Sequence, residues 1–162
     1  MIDFLLAVIA AAVNPGAGAD AASAAAAPAA APLSAALQAE PQQPDGRFTT
    51  ATEVRPILNA TRANWISVRE FNGQDLVYVT HLWAWRCGLV ELRLGVNGAA
   101  PEVWPLPDCH LDRPQPNAVL EEDGLPYRSF PLSSVENVTV EITYDDLGSD
   151  RITVSRMGQV LE

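Results

Sequence analysis

The strongest constraint on the fold is a period of two in side-chain polarity, punctuated by Asn-Gly dipeptides. Near the C-terminus Val138, Val140, Ile142 and Tyr144 alternate with Thr139, Glu141 and Thr143. Successive side chains of a strand point to opposite faces, so this pattern predicts a strand with one face buried. The same alternation runs over 89–96, with Val90, Leu92, Leu94 and Val96 on one side and Glu91 and Arg93 on the other. Asn72-Gly73 separates two strand-like runs, 65–71 and 74–84, and Asn97-Gly98 follows the run 89–96. Asn-Gly tolerates the positive φ of a type I′ turn and is a strong hairpin signal. The second of these turns returns the chain through Glu102 to Trp104.

One helix precedes the strands. Val54, Ile57, Leu58 and Thr61 recur at helical spacing, and Thr50-Ala51-Thr52-Glu53 matches a capping box, which predicts a helix over 52–63. Pro56 falls near its first turn, where a missing donor costs least. At the other end of the chain, 145–150 reads as a turn rich in Asp and Gly, and 151–156 as its returning strand. The run 125–132 carries Pro126 and Pro131 and suits only a sheet edge. Six or seven antiparallel strands with local connections predict a mainly β fold, a sandwich or partly open barrel with one N-terminal helix.

The first 45 residues have a different composition. An apolar run over 4–13 ends at Asn14-Pro15-Gly16 and is followed by Ala17-Gly18-Ala19, a small-x-small triplet of the kind a signal peptidase cuts. We read 1–19 as a signal peptide, 20–45 as an Ala/Pro-rich disordered linker, and 46–162 as a single β-rich domain. Ten apolar residues fall short of the roughly 20 a spanning helix needs, so no stable membrane span is expected. The linker has almost no large apolar side chain with which to offset its ordering entropy.

Charge and cysteine content narrow the setting. The chain has ten arginines, no lysine and twenty acids, for a formal charge of −10. Such an acidic chain repels phosphate backbones and anionic leaflets, which argues against a nucleic-acid partner. Its two cysteines, Cys87 and Cys109, read as one structural disulfide in an exported protein. The rival is a reactive Cys109 beside His110, but neighbours in an extended segment point apart.

The run Thr50-Ala51-Thr52-Glu53-Val54-Arg55-Pro56-Ile57-Leu58-Asn59, with Trp85-Arg86-Cys87-Gly88-Leu89 further on, resembles a family of small exported alphaproteobacterial proteins of uncharacterised function. The resemblance covers most of the folded part. It implies export and a periplasmic or secreted location, and it transfers no catalytic residue.

Several groups of residues invite chemistry. Asp108, His110 and Asp112 alternate, and two carboxylates with an imidazole suit a divalent metal, with His81 as a further ligand if the fold brings it near. The competing reading is a solvated Pro-rich loop beside a disulfide, and for His81 a hydrogen-bonded residue on the apolar face of the second strand. Trp65, Trp83, Trp85 and Trp104 would form a glycan or protein platform if exposed on one face, and core if buried. The Asp145, Asp146 and Asp150 turn lacks the ligand spacing of an EF-hand. No nucleophile elbow, zinc-protease helix, phosphate loop or dinucleotide fingerprint is present, and no cofactor is implied. Two classes stay open. The preferred one is an exported, non-catalytic module binding an envelope protein or glycan; the alternative is a metal-assisted hydrolase using the His/Asp cluster.

Overall fold

The computed structural model describes residues 37–162. The expected signal peptide and most of the expected linker lie outside the described residues. The linker's last part does not behave as a free spacer: the Glu40 N–H donates to the Asp145 carbonyl at 2.8 Å, and the Gln42 Oε1 accepts from Thr52 N at 2.9 Å. These bonds tie the chain to the domain well before position 46.

Among the described residues seven strands form two antiparallel sheets, the mainly β arrangement expected. β1 (Ser67–Phe71) and β2 (Gln74–Tyr78) make a hairpin, and β5 (Tyr127–Pro131) pairs with the far side of β2 to give the order β1-β2-β5. The second sheet runs β4-β3-β6-β7, built from β3 (Leu89–Val96), β4 (Glu102–Trp104), β6 (Asn137–Tyr144) and β7 (Ser149–Ser155). Both Asn-Gly turns take the left-handed region, with φ of 50° and 74° at Asn72-Gly73 and 54° and 78° at Asn97-Gly98. The Pro-bearing β5 is an edge strand, as its missing donors require.

The alternation of β6 places Val138, Val140, Ile142 and Tyr144 in the core. They meet Leu92 and Leu94 of β3, Ile152 and Val154 of β7, Val77 of β2, and Val54 and Leu58 of the helix α1 (Ala51–Ala60) in one continuous cluster. The C-terminal tail closes the free edge of β7: Thr153 N donates to the Glu162 carbonyl and Leu161 N to the Thr153 carbonyl. An edge paired in this way offers no template to another chain.

Two expectations need correcting. α1 is shorter than 52–63 and is followed by a 3-10 turn at Arg62–Asn64. Thr50 does not cap it; its hydroxyl donates to Glu53, and the Ala51 N–H is taken instead by Asp145 Oδ1 at 2.8 Å. The second strand does not reach 84. It ends at Tyr78, and the chain turns into a short helix, α2 (Thr80–Trp83), then a 3-10 turn at Arg86–Gly88. Val79, Leu82, Trp83 and Arg86 are all buried at i, i+3, i+4 and i+7, the helical spacing that prevails over alternation here. His81 is therefore on a helix, not on a strand face with Val77, Val79, Trp83 and Trp85.

Candidate functional site

The Pro-rich loop after β4 is held by two devices. Cys87 and Cys109 form the disulfide, with Cα atoms 5.2 Å apart, and among the described residues no cysteine is free. The second device is Arg86, which the sequence reading passed over. Its side chain is 1% exposed. Nε donates to the Pro107 and Asp108 carbonyls, Nη1 to those of Trp83 and Asn117, and Nη2 to those of Asp108 and Ala118. Nη2 also meets Asp123 Oδ2 at 3.2 Å. Five carbonyl oxygens, one from α2 and four from the loop, converge on one planar buried cation.

Asp123 links this arginine to His110, whose Nε2 lies 2.9 Å from Asp123 Oδ1. Burial pushes the Asp123 carboxyl up, but the Leu120 N–H, Arg86 and His110 together outweigh it and hold it below the ordinary range. Asp108 and Asp112 do not join His110. The segment is not extended: Leu111 N bonds the Cys109 carbonyl and Arg113 N the His110 carbonyl, and such tight turns abolish the alternation that would have aligned the three. His81 lies elsewhere, bonded to Thr61. Among the described residues no group of three or more His, Cys, Asp and Glu side chains forms a metal site.

The tryptophans do not make a platform. Trp65 is fully buried and donates from Nε1 to the Leu58 carbonyl at 2.9 Å, while Trp83 and Trp104 are each 4% exposed. Indoles of this size supply core volume to a small domain. Trp85 alone is half-buried, edge-on to Phe48 with centroids 5.3 Å apart. The hollow beside it is bounded by groups bonded inward: Arg47 donates to the Leu111 and Arg113 carbonyls, and Asn117 bridges Phe48 and Cys87.

The outer face of the small sheet is different. Register places Ser67 opposite Tyr78, and Tyr78 opposite Tyr127, so the three side chains share one side of the sheet with Arg69. The two tyrosine rings lie 5.0 Å apart at 45°, and the Arg69 guanidinium carbon sits 5.9 Å from the Tyr78 ring centre. A cleft of about 550 Å³ opens here, floored by Tyr78, Arg69 and Ser67 and walled by Asn64, Thr80 and His81. No acid lines it. Arg69 has no carboxylate partner among the described residues, whereas seven of the other arginines form salt bridges.

The tautomer of His81 follows from proton counting. Thr61 has one hydroxyl proton and gives it to the Ile57 carbonyl at 2.7 Å. Its oxygen therefore accepts at 2.8 Å from His81 Nε2, which must carry the ring hydrogen. Nδ1 is left with a lone pair and no partner among the described residues. Burial holds the ring's pKa below the usual histidine value, which favours this neutral form. The cleft thus presents a fixed acceptor, a free guanidinium and an aromatic floor. The tyrosines were readable in sequence only as strand residues; their cross-strand pairing needed the register.

No family model, curated protein or solved structure matches the chain.

Proposed function

We propose that this protein is an exported, non-catalytic binding module of the bacterial envelope, and that it meets its ligand on the outer face of the β1-β2-β5 sheet. The observation that carries the reading is the distribution of unpaired polar groups. The disulfide-tied loop has its arginine, aspartate and histidine bonded to one another and to the backbone. The cleft beside Tyr78 keeps available Arg69, on a strand held in register by a hairpin, and His81 Nδ1, on the short helix α2. Recognition surfaces are commonly built this way, with a few polar groups placed around an aromatic area.

Export is supported by the apolar run over 4–13, the small-x-small triplet at 17–19, the disulfide, and the resemblance to exported alphaproteobacterial proteins. No helix among the described residues is long and apolar enough to cross a membrane.

The test uses a photo-crosslinking side chain placed at Tyr127 in one exported chain and at Arg151, on the other sheet, in a second. Envelope material captured at Tyr127 and not at Arg151 is expected. Equal capture at both sites, or none at either, overturns the surface. Intact mass of the periplasmic form should begin at Asp20 and rise on reduction and alkylation; a cytoplasmic product with two free thiols overturns export.

A further inference from the structure

We infer that the cleft beside Tyr78 binds a carboxylated sugar, a uronate unit within an acidic glycan. The inference rests on that sheet face being the binding surface and adds the chemical class of the ligand.

Charge is the first argument. The chain carries −10 overall, yet the cleft is lined by one guanidinium and no acid. What separates it from the other acid-free hollows is its cation: Arg47 beside Trp85 is bonded to loop carbonyls and Arg156 to Asp75 and Glu70, whereas Arg69 has no carboxylate partner among the described residues. An unpaired arginine on a sheet is suited to fork onto a carboxylate through two parallel N–H bonds.

The amount of charge is the second argument. Only one cation lines the cleft, and His81 there is neutral, with its Nε2 hydrogen committed to Thr61. One guanidinium matches a monoanion. A phosphate dianion would leave a charge uncompensated.

The remaining groups distinguish a sugar from other carboxylates. Tyr78 in the cleft, with Tyr127 beside it at 5.0 Å, offers an amphipathic aromatic area to the C–H face of a pyranose ring. Sugar hydroxyls are donors as well as acceptors and need acceptors in the site. His81 Nδ1 supplies one, and Asn64, Ser67 and Thr80 supply groups that do both. An acidic peptide side chain could meet the guanidinium as well, but it brings no pyranose face to the tyrosine pair and has little use for an imidazole lone pair.

The experiment titrates the oxidised chain with trigalacturonate, its full methyl ester, and a tetraglutamate peptide, following ring resonances of Tyr78 and His81 and the heat of binding. The proposal expects saturable binding of trigalacturonate with shifts at both rings. The ester and the peptide should bind at least roughly tenfold more weakly, the size of a lost charge-assisted hydrogen bond. Arg69→Gln and Tyr78→Ala should each weaken trigalacturonate binding by a similar factor, while Arg151→Gln leaves it unchanged. Absence of binding, equal affinity for the ester or the peptide, or full affinity in Arg69→Gln overturns the ligand class. A crosslink at Tyr127 to some other envelope component would leave the binding surface standing and remove only the uronate.

Discussion

His110 sits in a chain of internal bonds: the imidazole bonds Asp123, Asp123 bonds Arg86, and Arg86 bonds five backbone carbonyls. Around His81 one ring nitrogen is committed to Thr61, and the other stands open in a cleft beside an arginine without a carboxylate. In the sequence His110 stands within the candidate metal cluster, and His81 joins it only if the fold brings the two together. The difference lies in what each neighbourhood must do. An irregular loop with buried carbonyls needs internal donors, and an unmet one is costly, so its polar groups go to structure. A sheet satisfies its own backbone, so side chains on its outer face are left for a ligand.

If the loop is structural, breaking its centre should cost the most. Arg86→Met leaves Asp123 buried without its cation and strips donors from the carbonyls of Pro107, Asp108, Asn117 and Ala118. Removal of one partner from a buried ion pair destabilises by about 3–5 kcal/mol. Urea unfolding should show a loss in that range, with part of it recovered in Arg86→Met/Asp123→Asn. A loss under about 1 kcal/mol would mean that the loop does not depend on this cation. The same variant tests the comparison, because the cleft beside Tyr78 shares none of Arg86's partners and should keep its ligand binding in any folded fraction.

The disulfide comes next. It closes a loop of 22 residues between positions that are also bridged by Arg86. The chain-entropy argument gives about 3 kcal/mol for a loop of this size. Cys87→Ser/Cys109→Ser should therefore lose about that much, since cutting the bond frees the unfolded chain while Arg86 continues to restrain the same loop in the folded state. Combining it with Arg86→Met should produce a non-additive loss, measured as a double-mutant cycle. Strict additivity would show that the two devices act on separate parts of the loop.

Much of the architecture was legible before any coordinates, and the reasons are local. The period of two in β6, the Asn-Gly turns and the two prolines that bracket β5, Pro126 and Pro131, are each properties of a short run and its backbone. The cysteine pair followed from there being only two. What could not be read was long-range. Arg86 is separated by 21 to 37 positions from the loop groups it binds in 107–123, and nothing in its own neighbourhood marks it as buried. Asp75 is similar. It falls in the strand-like run 74–84 with nothing nearby in sequence to mark it as buried, yet it is fully buried and accepts from Arg156, Ser133 and Val135. α2 was misread for a different reason: its apolar residues fit both periods, and only Leu82 and the buried Arg86 separate helix from strand. The aromatic pair beside the cleft was missed because two tyrosines 49 positions apart become neighbours only through the β2–β5 register.

Acid should distinguish the two regions by stability. Arg156 chiefly holds the Asp75 carboxyl far below the ordinary value, and Arg55 chiefly lowers that of Asp146; Asp123 is lowered against its burial. A carboxyl that is a stronger acid when folded binds its proton first in the unfolded chain. Stability contributed by these groups is therefore complete above the unfolded value, near pH 4, and is lost as pH falls through the lowered folded values. Denaturation midpoints should stay level for these groups from about pH 5 upward and fall below about pH 4. Asp75→Asn should flatten part of that fall. An unchanged acid limb in Asp75→Asn would show that its ion pair does not set acid stability.

The smallest effect belongs to His81, and it probes the open side of the comparison directly. Burial holds its pKa below the ordinary histidine value, so as pH drops below about 6.5 the unfolded chain takes the proton before the folded one does. Stability should decline gently through that window and level off once the folded imidazole is also protonated. His81→Gln should remove this slope while leaving the acid limb of the carboxylates in place. Nitrogen shifts of the ring give a sharper reading than stability: at neutral pH Nε2 should carry the hydrogen and Nδ1 the lone pair. Thr61→Val takes away the acceptor that fixes this tautomer, and the ring should then populate both forms. If the ring nitrogens instead report Nδ1–H in the native protein, Thr61 donates to the histidine. The cleft then presents a donor where the uronate reading requires an acceptor, and the separation between a bonded histidine and an available one loses its chemical basis.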